Sequence, residues 1–217
     1  MSSTATIIIP FRSLLEGKSR LAPVLSKEER AQLNREMLEG VAGAALDVAQ
    51  HPKVLVISPD EAALEMVQHF DPRIQPVYQE PRVIGLNGAL EFATDLAIDA
   101  GSRVVVVIPA DLPLLRSADI ENLVRRDAPV VIAPDRRRRG TNGLMQRIDA
   151  TLGNFRYQFG PDSYALHQEQ AHRLGLDPVS AVSLGTSFDL DTPADLRDLA
   201  GFDRTTQSIR EGSLACG

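Results

Sequence analysis

The sequence predicts an α/β fold, a three-layer α/β/α sandwich around a mostly parallel sheet. Short apolar, β-branched runs bounded by turn residues recur along the chain, and helical patterns lie between them. The runs are continuous rather than alternating, which means burial on both faces and helices above and below the sheet. At 217 residues, 43% of them hydrophobic, the chain is long enough to bury such a core.

The first strand is TIIIP at 6–10, followed by a loop rich in cations. The helix after it begins at SKEERAQLNREMLEGVAGAALDVAQ, where Ser26 and Glu29 have the spacing of a capping box and Leu33, Met37, Val41 and Val48 share one face. KVLVISP (53–59), IQPVY (74–78), RVVVVIP (103–109), PVVIAP (129–134) and VSAVSL (179–184) read as further strands. Helices are expected at 61–70, 88–100, 117–126, 163–174 and 192–200, the last opened by Thr192 with Pro193 at its first position. No repeat or linker divides the chain, so residues 1–202 are read as one domain and 203–217, which lack periodicity, as a mobile tail.

The net charge of −6 argues against a surface built to grip nucleic acid, and the absence of Trp, with 5% aromatic residues, leaves little for base stacking. No charged leader and no apolar run of about 18 residues is present, so a soluble cytoplasmic protein without a membrane partner is expected. The one cysteine, Cys216, excludes an internal disulfide. The oligomeric state stays open, a homodimer included.

In an open α/β sheet, ligands bind beyond the carboxyl ends of the strands. Asp111, in PADLP, falls at that rim after the strand at 103–109. It reads either as a turn Asp bonding nearby backbone N–H groups or as a ligand for a hard cation. In SFDLDTPADL, Asp189 and Asp191 project from the same face of an extended segment. Two like charges so close disfavour each other unless one is protonated or a cation such as magnesium lies between them, and Thr192 already supplies a helix cap. These acids are the candidate metal ligands.

The loop PFRSLLEGKSRLAP contains GKS but has Arg12 where a Walker A loop needs glycine. It carries Arg12, Lys18 and Arg20 to the mouth of the first strand, as a solvated basic loop or as a clamp for a triphosphate. In PDRRRRGTNGLM, Gly140 and Gly143 flank Thr141 and Asn142, so backbone and hydroxyl donors could approach an anion closely. FGPDS, with Gly160 and Ser163, and VIGLNGAL, with Gly85, Asn87 and Gly88, place further amides at helix entrances. His51, His69, His167 and His172 have no fixed-spacing partners and read as surface or packing residues. Acids for a metal, several anion sites and no evident nucleophile or base suit nucleotidyl transfer, which needs positioning and charge neutralisation. An acceptor phosphate, already a dianion near neutral pH, needs no general base.

IPFRSLLEGKSRLAPVLSKEERAQL, GLNGAL, VIPADLPLL, VVIAPDRRRRGTNGLM, FGPDS and DLDTPADL occur in an order that resembles the phospholactate guanylyltransferase family of deazaflavin coenzyme F-420 biosynthesis, over residues 6 to about 200. The resemblance implies a GT-A-like nucleotidyltransferase fold and transfer of GMP from GTP to a small phosphorylated three-carbon acid. 2-Phospholactate, phosphoenolpyruvate and 3-phosphoglycerate are the candidates, and pyrophosphate is the other product. It implies magnesium on Asp111, Asp189 and Asp191, the acceptor on Thr141, Gly160 and Ser163, and Lys18 and Arg20 as the basic residues of the GKSRL loop. The chain departs from the family in having Arg12 in place of Lys and in its arginine run at 136–139. A molybdopterin or sugar-phosphate nucleotidyltransferase, a glycosyltransferase of the same fold, and a non-catalytic nucleotide- or RNA-binding module are the alternatives.

Overall fold

A computed structural model of the protein describes residues 5–148 and 155–202, and the expected tail at 203–217 lies outside the described residues. The strands are β1 (Ala5–Pro10), β2 (Lys53–Ser58), β3 (Ile74–Tyr78), β4 (Val104–Val107), β5 (Val130–Pro134), β6 (Thr141–Arg147) and β7 (Val179–Ser180). They form one sheet in the order β3-β2-β1-β4-β6-β5-β7. The helices are α1 (Lys27–Leu46), α2 (Glu61–Phe70), α3 (Gly85–Asp99), α4 (Ser117–Val124), α5 (Ser163–Arg173), α6 (Leu184–Ser187) and α7 (193–202).

Alternation along the buried strands builds three layers. Ile7, Ile9, Val54, Val56, Val104 and Val106 pack with Leu38, Val41, Val67, Ile120 and Leu123, which belong to α1, α2 and α4. Ile8, Leu55, Ile57, Val105 and Val107 face the other way, onto Ala89, Leu90, Ala93 and Ala97 of α3 and Tyr164 and Ala171 of α5. A third cluster, in which Leu21 and Met37 meet Phe188 and Leu190, ties the loop after β1 to the segment before α7.

The capping box at Ser26 and Glu29 forms as expected. The strand expected at 103–109 narrows to β4, and the helix expected at 88–100 starts a turn earlier, at Gly85, which takes a φ of +70°. The run at 179–184 pairs as strand only at Val179 and Ser180 before turning into α6. The largest correction is β6, which the sequence hides because Thr-Asn-Gly reads as loop. It runs antiparallel between β4 and β5. Gly143 is therefore a strand glycine rather than a loop donor. A Cβ there would stand 3.1–3.4 Å from Ala133, Leu123 and Ile108, so absence of a side chain lets the layers close.

Reversal of β6 positions the site. The carboxyl ends of β3, β2, β1 and β4 share one rim, and an antiparallel strand brings its amino end to that rim. Extending the Val107–Leu144 register sets Thr141 and Asn142 level with Ala110 and Pro109, beside Asp111.

Candidate active site

Lys18 is the centre of the rim. It sits in the left-handed region, with a φ of 49°, just before a short 3₁₀ turn at Ser19–Leu21. Preceding Gly17, at a φ of +126°, makes the tight approach available to the chain. The conformation turns the Lys18 side chain inward, where it is 9% exposed. Its Nζ donates to Asp111 Oδ2 at 3.1 Å and Asp191 Oδ1 at 2.8 Å. Burial alone would lower the ammonium's pKa, but the charges of Asp111 and Asp191 outweigh it and hold it above its ordinary value. Arg20 lies outside this pair, its guanidinium 3.9 Å from Asp191 and largely solvated.

Asp189 completes the acidic group. Burial, with the nearby charges of Asp111 and Asp191, raises its pKa against the bond from its own backbone amide and one from Asn142. Asn142 Nδ2 donates to Asp189 Oδ1 at 3.4 Å. Asp111, far in sequence from Asp189 and Asp191, thus shares one electrostatic neighbourhood with them. Lys18 takes one oxygen of Asp111 and one of Asp191, Arg20 faces the other oxygen of Asp191, and Asn142 takes one of Asp189. Among the described residues no group of three or more His, Cys, Asp or Glu is arranged to hold a metal ion.

Asp195 supports this arrangement, and sequence reasoning passed over it. Its buried carboxylate accepts from the backbone amides of Asp191 and Thr192 at 3.0 and 2.6 Å and from the Thr192 hydroxyl at 2.9 Å. The signal was the Thr-x-x-Asp spacing of a capping box at Thr192. Arg136 closes the carboxylate's other side, lies 4.9 Å over the Phe188 ring and donates its backbone N–H to the Ser187 carbonyl. Arg139 pairs with Asp162 at 2.9 Å. Two of the four arginines are thus fasteners of the β5–β6 turn.

A cavity of about 660 Å³ opens along the rim, lined by Arg12, Lys18, Asn34, Gln79, Gly85 and Asp191 among others. Arg12 is exposed there and lies 3.9 Å from Glu16. Asn87, expected to bind substrate, spends its amide on the backbone of Phe159, donating to its carbonyl at 3.1 Å and accepting from its amide at 2.8 Å. It thereby anchors the strand of chain that ends at Gly160, which has a φ of +138° and accepts from the Ser163 amide.

Thr141 and Ser163 meet at the other side of Asp111. The Thr141 amide donates to Ser163 Oγ at 2.9 Å, and Thr141 Oγ1 lies 3.0 Å from His167 Nδ1. His167 Nε2 accepts from the Gln158 amide at 2.9 Å, so the ring's proton is on Nδ1 and is donated to Thr141. The Thr141 hydroxyl proton is then left for another acceptor. Burial pushes the His167 pKa down to about 4, which keeps the ring uncharged at neutral pH, while the Gln158 bond selects the tautomer. His167 packs between Phe155 and Phe159 at 5.9 and 5.1 Å, the packing role the sequence suggested with an orienting bond added to it.

The chain is similar to known proteins along most of its length. The family model of CofC-like guanylyl transferases matches residues 5–209. A phosphoenolpyruvate guanylyltransferase of Rubrobacter xylanophilus is 38% identical over 88% of this chain and 91% of its own. A 2-phospho-L-lactate guanylyltransferase of Methanothermobacter thermautotrophicus is 37% identical over 88% and 82%. A 3-phospho-D-glycerate guanylyltransferase of Phenylobacterium zucineum is 34% identical over 90% and 89%. Among solved structures, a candidate nucleotide-diphospho-sugar transferase of Desulfovibrio desulfuricans superposes with a TM-score of 0.74 at 19% identity, covering 91% of this chain and 86% of that one. That last likeness, at so low an identity, shows the fold alone.

Proposed function

We propose, since the chain belongs to the CofC-like guanylyl transferase family, that it transfers GMP from GTP to the phosphate of a small phosphorylated three-carbon acid, with release of pyrophosphate. Convergence of Lys18, Asp111, Asp189 and Asp191 on one rim carries this reading. An oxygen of the acceptor phosphate attacks the α-phosphorus of GTP, and the bond from that phosphorus to the oxygen bridging to the β-phosphate breaks. The acceptor is already a dianion, so no side chain has to remove a proton. What remains for the protein is alignment and charge.

Lys18 and Arg20 face the donor's phosphates, and Lys18 is pre-positioned by its two carboxylates. Three carboxylates against one buried ammonium leave a net negative charge where a polyanion must bind. A divalent cation would remove that conflict, and Asp111, Asp189 and Asp191 are the carboxylates that would hold a magnesium ion, with water and phosphate as its other ligands. When bound it supplies neutralisation of the charge on the leaving pyrophosphate. Asp189, whose pKa is raised by burial and its neighbours, would be relieved by such an ion.

On the other side, Thr141, Asn142, Gly160 and Ser163 suit the acceptor acid, with the Thr141 hydroxyl turned into a donor by His167. Arg12, Gly85 and Asn87 lie toward the nucleotide, Asn87 acting through Phe159. The product enters deazaflavin coenzyme biosynthesis in this reading, and the reaction takes place in the cytoplasm. Purified protein with GTP, magnesium and each of 2-phospholactate, phosphoenolpyruvate and 3-phosphoglycerate tests it by pyrophosphate release. One acid is expected to be strongly preferred, and silence with all of them rejects the reading.

A further inference from the structure

The cavity has two unlike ends. One holds Lys18, Asp111 and Asp191, while the other is walled by Ile57, Pro59, Leu86 and Ala89, with Gln79 among them. The sheet order separates the two. β3, whose end leads into Gln79, lies three positions from β4, whose end leads to Asp111, which is about 14 Å at the usual spacing of neighbouring strands. A triphosphate belongs with the cations, so its purine falls to the apolar end.

Gln79 cannot turn its amide at will. Its Nε2 donates to the carbonyl oxygens of Val83 at 2.8 Å and Gly85 at 3.3 Å, at the entrance of α3. Its backbone amide donates to the Ser58 carbonyl at 2.9 Å, which fixes the residue to the end of β2. Both side-chain hydrogens are thus engaged, and the oxygen is what the side chain offers to the cavity. The base edge of guanine carries adjacent donors, N1–H and the 2-amino group. Adenine presents a lone pair and a C–H in the same place.

We propose that Gln79 is a specificity-determining residue that reads the base, its locked side-chain oxygen accepting from N1–H and the 2-amino group of guanine and opposing the lone pair of adenine. This deepens the reading of the cavity as the GTP site, on which it rests, and is independent of which acid is the acceptor. A site that hydrogen-bonds a donor discriminates against an analogue that lacks it, because the site's own polar group is left unpaired.

Calorimetric binding of GTP, ITP and ATP to the full-length protein with magnesium, for the wild type and Gln79→Leu, tests it beside pyrophosphate release with the same nucleotides. The wild type should bind GTP about tenfold more tightly than ITP, which lacks the 2-amino group, and at least about 30-fold more tightly than ATP. Gln79→Leu should bring GTP and ITP to equal affinity and leave ATP within about threefold of its wild-type value. Gln79→Met, near in shape and without an acceptor, repeats the measurement if the Leu variant does not fold. A GTP-to-ATP ratio that persists in the Gln79 variants, or that collapses with Asn34→Leu instead, overturns the proposal. Gln79-dependent discrimination without turnover of any acid would remove the proposed reaction and leave the base reading standing; turnover with a ratio indifferent to Gln79 does the reverse.

Discussion

The two halves of the sheet do different kinds of work. On the parallel side, β1, β2, β3 and β4 carry a cavity whose decisive groups are ions, with Lys18 clasped between Asp111 and Asp191. On the other, antiparallel β6 and the helix α5 beside it carry neutral groups joined by buried hydrogen bonds, namely Thr141 of the strand with Ser163 and His167 of the helix. Ionic groups stabilise charge whatever its shape, whereas a rigid neutral network fixes direction. The first suits the phosphates of a nucleotide and the second suits the choice of one small acid among near-identical ones.

The largest break in that contrast comes from the ionic side. Asp111→Asn removes one carboxylate from the shared neighbourhood and one partner of Lys18. Its kcat/KM should fall by about 10³-fold with every acceptor alike, the scale on which a preorganised electrostatic group contributes to catalysis. Lys18→Met should match it, and both variants should stay folded, since Asp111 and Asp191 are 34% and 40% exposed and water can solvate them. Steady-state pyrophosphate release with circular dichroism checks both. A loss confined to the KM of the acceptor would erase the distinction between the halves.

Thr141→Val sharpens it from the other side. With the hydroxyl gone, KM for the preferred acid should rise about tenfold while KM for GTP is unchanged, the cost of one hydrogen bond to a charged group. His167→Phe keeps the aromatic packing and frees the Thr141 hydroxyl to rotate. It should raise the same KM by a smaller factor, and the effect should vanish in a Thr141→Val background.

The halves were unequally legible in the sequence. Parallel strands buried on both faces write themselves as VVVV or TIII, and each was placed within a residue or two of its bounds. β6 carries Thr, Asn and Gly because its amino end faces the site and Gly143 admits its neighbours, so it lacks the apolar signature. The acids of the site were visible because carboxylates in apolar company need a reason, and the rim rule supplied their place. Roles that depend on what a side chain touches were not. Asn87 looks like a ligand and holds Phe159; Gln79 looks like any polar residue after a strand and is locked by two carbonyls; the arginine run looks solvated and half of it is bound.

His167 also separates the halves by pH. Its pKa is depressed to about 4 in the folded chain from an ordinary 6.5, so the unfolded chain binds a proton that the native one refuses. Its contribution to stability is complete above pH 6.5 and is lost as pH falls toward 4, by about 3 kcal/mol at most. Urea unfolding at pH 7 and pH 5 should show the fall, and His167→Phe should flatten it. Arg136→Ala, which leaves the buried Asp195 carboxylate without its cation, should cost about 2 kcal/mol, or about 5 °C in Tm, at any pH between 5 and 8.

The smallest expected effect concerns the turn itself. Asp135 begins it, accepting the Arg138 amide at its carbonyl at 3.0 Å and the Arg139 amide at Oδ1 at 2.8 Å. This geometry puts Arg138 at a φ of 54°, a left-handed conformation that costs an ordinary side chain about 1 kcal/mol. Asn accepts that conformation more readily. Arg138→Asn should therefore raise Tm by about 2 °C and leave kcat/KM for every acceptor unchanged. If the exposed arginines instead gripped nucleic acid, the same variant would reduce the salt dependence of RNA binding, so a salt titration of both proteins separates a turn residue from a phosphate-reading one. The fastening of Arg136 and Arg139 to Asp195 and Asp162 argues for the turn.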